Sequence, residues 1–142
     1  MQIPPGLSPE KAKALSALNL AFIGDTVFDL LVRTALVTEK KRPVNEQNRE
    51  AASRVNARNQ SRMAGILEPL LTEEEKAVYL RGRNAKSATH AKNSSIQEYR
   101  RATGLEAVFG YLYLQGRVGR ILELYAVAND EAKNSEKERE RT

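Results

Sequence analysis

Apolar residues in the first third of the chain recur at three-to-four spacing. Leu18, Phe22, Phe28 and Val32 trace one stripe of a helix running to about Val37, and Asp25 falls on the same stripe. Between Lys13 and Arg33 the only charged residues are Asp25 and Asp29. A buried charge without a partner costs several kcal/mol, on the order of what holds a small domain together, so something must balance Asp25. A second apolar stretch, "YRRATGLEAVFGYLYLQGR", repeats the anomaly, because Glu106 is the only charged residue between Arg101 and Arg117.

Helical signals continue along the rest of the chain. Ser8 with Pro9 reads as an N-cap and first helical position, opening a short helix before the apolar one. Pro43 in "TEKKRPVN" marks a loop, after which Asn45 is expected to cap a helix through "EQNREAASRVNARNQ", with another near "SRMAGILEPL". Arg54, Arg58 and Arg62 would project from one side if that helix is continuous. Thr72 with Glu75, and Ser95 with Glu98, form capping boxes at the heads of two further helices. Between these two helices lies the polar loop "GRNAKSATHAKNSS"; the second helix spans about 96–115 and is stopped by Gly116. A last helix is expected over about 118–129, followed by a charged, poorly ordered tail over 131–142. No strand of any length and no internal repeat emerges, so the predicted class is all-α, in one domain.

Composition narrows the chemistry. The 142 residues include no cysteine and a single histidine, His90, which removes thiolate chemistry and His-rich metal sites, and fits a reducing cytoplasm. The N-terminal "MQIPPGLSPE" lacks signal-peptide features and no apolar run reaches the ~18 residues of a membrane span, so a soluble protein without a membrane partner is expected. Net charge is +5, but it is unevenly spread: residues 40–62 and 81–101 each carry +5, so the remainder is net negative. Two basic segments suit an anionic partner.

Gly24 beside Asp25, and Gly104 and Gly110 around Glu106, are unfavourable inside helices and suggest a close crossing that brings the two carboxylates together. The plainer alternative is that each acid pairs with an arginine, and for Asp29 a bond to Arg33 one turn on is the preferred reading. For Asp25 and Glu106 jointly, a hard divalent cation such as Mg²⁺ or Mn²⁺ is the better reading, since Mg²⁺ takes only one or two protein carboxylates. Such an ion beside a basic surface indicates phosphodiester hydrolysis.

The stretch "LAFIGDTVFDLL" resembles the signature helix of the ribonuclease III family, which reads Glu-Phe-Leu-Gly-Asp-Ala-Val, and "TGLEAVFGYLYL" resembles its second acidic motif, Asp-x-x-Glu-Ala. The loop "RGRNAKS" and the short length resemble the Mini-ribonuclease III branch, which lacks a double-stranded-RNA-binding domain. The resemblance implies a catalytic domain over residues 1–130, with Asp25 and Glu106 as metal ligands and catalytic residues. It implies a homodimer whose two sites each cut one strand of duplex RNA, leaving 5′-phosphate ends, and a substrate in the paired ends of precursor 23S ribosomal RNA. A ribosomal protein acting on that RNA is a partner the sequence leaves open. Arg81, Arg83, Asn84, Lys86 and Ser87 of the loop are the expected RNA contacts. Ala21 and Thr103 stand where the larger family has two further acids, which leaves open a duplex-RNA-binding protein that cuts weakly or not at all.

Overall fold

In a computed structural model, described over residues 1–39, 43–86 and 95–141, the chain folds entirely into helices among those residues. They are α1 (Pro9–Ala14), α2 (Ala17–Glu39), α3 (Val44–Val55), α4 (Ala57–Leu67), α5 (Glu73–Asn84), α6 (Ile96–Leu114) and α7 (Val118–Arg141), with a 3₁₀ turn at Glu68–Leu70. Local chemistry sets the ends. Ser8 caps α1 by accepting the Lys11 N–H, and Thr72–Glu75 and Ser95–Glu98 close reciprocal capping boxes on α5 and α6. Gly116, at φ 76°, ends α6: its N–H reaches the Tyr113 carbonyl while the Arg117 N–H reaches that of Leu112, a Schellman closure.

Helix α6 is the axis of the fold. From Ala102 to Leu112 it is buried except at Glu106, which is half-buried, and α2, α4 and α5 lie against it. Phe28 of α2 stacks on Phe109 of α6 at 5.7 Å between ring centroids, and Tyr125 of α7 meets Phe28 edge-on at 6.0 Å. At the far end, the fully buried Glu75 accepts two hydrogen bonds from Arg120, at 2.9 and 2.8 Å, and one from the Thr72 N–H. Arg120 also donates to the Leu70 carbonyl and to Glu123, so the head of α5, the 3₁₀ turn and α7 are pinned at one guanidinium. No helix among the described residues is long and apolar enough to cross a membrane.

Four expectations change. The stripe through Leu18, Phe22 and Asp25 faces outward; the buried face of α2 is Leu20, Ala21, Gly24, Phe28, Val32 and Leu36. The small residues Ala21 and Gly24, which weigh little in a hydrophobic count, carry the helix–helix contact, so the larger side chains misled the reading. The break before α3 ends at Pro43, not Asn45, and Asn56 interrupts the next helix by capping α4 through the Asn59 N–H. Arg54 therefore stands on α3, and Arg58 and Arg62 on α4. Helix α7 runs to Arg141, past the end expected at residue 129.

Candidate active site

Asp25 and Glu106 meet because two glycines let their helices touch backbone to backbone. A Cβ at Gly24 would lie 1.7 Å from the Glu106 carbonyl oxygen, and one at Gly110 would lie 2.0 Å from that of Leu20. No other residue fits either place without separating α2 from α6. The contact puts Asp25 at the surface and Glu106 half-buried beside it.

Across this contact the Asp25 carboxyl lies beside that of Glu106 and acts on it electrostatically. Burial pushes the Glu106 carboxyl up to about 9, and the neighbouring Asp25 adds to the effect. The expected convergence of the two acids is therefore present in the geometry. The set is small: among the described residues no group of three or more acids, histidines or cysteines comes together. Ala21 is packed in the core, and Thr103 is buried with its hydroxyl donating to the Tyr99 carbonyl at 2.9 Å, leaving its oxygen only acceptor capacity.

These residues fit a hard divalent cation. Two oxygen-donor side chains brought side by side, with no histidine or cysteine near them among the described residues, suit such an ion, and Mg²⁺ fills its remaining positions with water and phosphate oxygens. Asp29 has a different place: the Arg33 Nε donates to both of its oxygens at 3.1 Å, the pairing preferred from the sequence.

The predicted RNA contacts divide. Lys86 and Asn84 are exposed, and Arg83 is half-buried with its Nε 3.3 Å from the Asn84 amide oxygen. Arg81 instead spends its guanidinium on backbone, donating to the carbonyls of Lys13 at 3.0 Å and Leu15 at 2.8 Å. Ser87 and His90 lie outside the described residues. Arg54 of α3 and Arg58 and Arg62 of α4 have partners away from the two acids: Arg54 lies 3.7 Å from Glu50, Arg58 lies 3.6 Å from Glu98, and Arg62 bonds to Asn59.

Sequence reasoning did not find the Glu75–Arg120 pair, because the capping box explains Glu75 completely and nothing local points 45 residues on. The large apolar residues left outward on α2 are Phe22, 82% exposed, Leu30, 66%, and Val37, 64%.

Comparison with known proteins agrees with this geometry. Residues 18–117, which contain both acids, match the ribonuclease III domain. A Mini-ribonuclease 3 of a Thermoanaerobacter species is 47% identical over 121 residues, covering 83% of this chain and 85% of that protein. The Mini-ribonuclease 3 of Clostridium tetani is 42% identical over 79% of this chain and 75% of its own length. A crystal structure of a Fusobacterium nucleatum protein superposes with a TM-score of 0.74 at 29% identity, covering 79% of this chain and 86% of that one. With the family's domain spanning both acidic helices and several such relatives aligned over most of its length, the chain belongs to the ribonuclease III family, in its Mini-ribonuclease III branch of endoribonucleases.

Proposed function

We propose that the chain hydrolyses double-stranded RNA at the Asp25–Glu106 pair with Mg²⁺ as cofactor. Its proposed substrate is the duplex formed by the paired ends of precursor 23S ribosomal RNA, cut in the cytoplasm by a homodimer. The observation that carries the reading is the glycine-mediated contact of α2 and α6, which sets the Asp25 carboxyl at the surface beside the half-buried carboxyl of Glu106. Asp25, the exposed member, and Glu106, the half-buried one, would hold the cation; Mn²⁺ meets the same requirements. A bound divalent ion supplies an acidified water and neutralises charge that builds on the phosphate.

The chain's own residues do the rest. Holding the cation would require Glu106 to be ionised, against the burial that raises its pKa, so that its carboxylate and that of Asp25 could both serve as ligands. Arg83 and Lys86 offer cationic contacts to phosphates, and Asn84 and Ser87 offer hydrogen bonds to 2′-hydroxyls, a recognition by shape and charge suited to the shallow minor groove of duplex RNA. The dimer is supported by Phe22, Leu30 and Val37, a row of large apolar side chains left in water along α2.

The test uses purified protein, Mg²⁺ and two RNA duplexes of equal length, one built from paired precursor ends and one unrelated. The reading expects faster cutting of the first, with 5′-phosphate ends on the products. Equal rates on both would remove the ribosomal substrate, and no cutting of either would remove the hydrolysis.

A further inference from the structure

Arg81 was expected to touch RNA, yet its guanidinium is engaged 66 and 68 residues back in the chain, on the carbonyls of Leu15 and Lys13. Those carbonyls belong to the last turn of α1 and its joint with α2, about three turns before Asp25. The next residue, Gly82, is wedged against α6: a Cβ there would lie 2.9 Å from the Cα of Gly104, 3.0 Å from the Cβ of Ala107 and 3.1 Å from the Thr103 carbonyl. These three residues flank Glu106 on α6. The last turn of α5, immediately before Arg83 and Lys86, is thus tied to the joint that leads into the helix carrying Asp25 and packed against the helix carrying Glu106.

We infer that Arg81 is a positioning residue: with Gly82 it fixes where the cations at the end of α5 stand relative to the Asp25–Glu106 pair, and so which phosphodiester is presented for cutting. This rests on the proposed duplex-RNA reading of Arg83 and Lys86. Lysine at position 81 can donate from a single point to one carbonyl at a time, whereas the guanidinium spans both, so the two are not equivalent here.

The experiment measures duplex binding against salt, single-turnover rate and cut position for wild type, Arg81→Gln, Arg81→Lys, Arg83→Ala and Lys86→Ala, at a temperature where all are folded. A phosphate ligand lost lowers the salt slope by about one. For Arg81→Gln the expected result is an unchanged slope, a rate lower by roughly 10- to 100-fold and cuts spread over neighbouring positions, with partial recovery in Arg81→Lys. Arg83→Ala and Lys86→Ala should each lower the slope. A slope reduced by one in Arg81→Gln would make Arg81 a phosphate ligand and overturn the inference. Unchanged rate and cut position would make it a stability residue only, with the same effect. Full slopes in Arg83→Ala and Lys86→Ala would instead remove the RNA reading of this loop, and the inference with it.

Discussion

A carboxyl that keeps its proton to about pH 9 is costly to ionise, and Glu106 is held in that state by burial and by Asp25. The sign of its effect on folding follows. Between 4.5, its ordinary value, and about 9 the folded chain holds a proton that the unfolded chain has released, so metal-free stability falls as pH rises through that window. Glu106→Gln cannot ionise and should flatten the decline; melting curves in a chelator between pH 5.5 and 9 should show the variant gaining on the wild type as pH rises. Glu75 is the opposite case. Burial alone would raise its pKa, but the Arg120 hydrogen bonds and the Thr72 N–H outweigh it and hold the group below its usual range. That contribution is present above about pH 4.5 and is lost as pH falls through the lowered value. Arg120→Ala strands a buried carboxylate and should destabilise the fold by ~3–5 kcal/mol, read by urea unfolding at neutral pH.

Helix pairing decides how much of the site was legible. Capping boxes are short-range, and those at Thr72 and Ser95 mark their helices correctly from sequence. Gly24 and Gly110 also announce themselves, because glycine in an apolar helix needs a reason, and the reason is the backbone contact between α2 and α6. Which side of α2 faces inward was not legible, since the contact is made by Ala21 and Gly24 while Phe22 points to water. Nor was the tie from Arg81 to α1, because one basic residue before a polar loop looks like any other until the chain is folded. Glycines of the two kinds should respond in opposite directions. Gly110→Ala forces α2 and α6 apart and should lower both the melting temperature and the apparent affinity for Mn²⁺. Gly65, in α4 with open space where a Cβ would go, should accept alanine with a gain of up to ~1 kcal/mol and no change in Mn²⁺ binding.

For the whole molecule, the outward apolar row shares α2 with Asp25, one of the two acids, so the proposed assembly and the proposed chemistry would be linked through that helix. Phe22→Asp places a charge in that row three residues from Asp25. It should shift sedimentation from dimer to monomer at micromolar concentrations, while far-ultraviolet circular dichroism stays that of the wild type; a dimer of unchanged strength would place the interface elsewhere. The central claim is that Asp25 and Glu106 act as one site for a divalent ion in cutting duplex RNA. Its most direct test is the single-turnover cleavage rate of a defined duplex across a Mg²⁺ titration, for wild type, Asp25→Asn and Glu106→Gln. The expected result is saturable Mg²⁺-dependent cutting by the wild type, with each variant slower by at least roughly 100-fold at matched Mg²⁺ while still binding the duplex. Equal cutting by wild type and both variants, or cutting that ignores Mg²⁺, would contradict it.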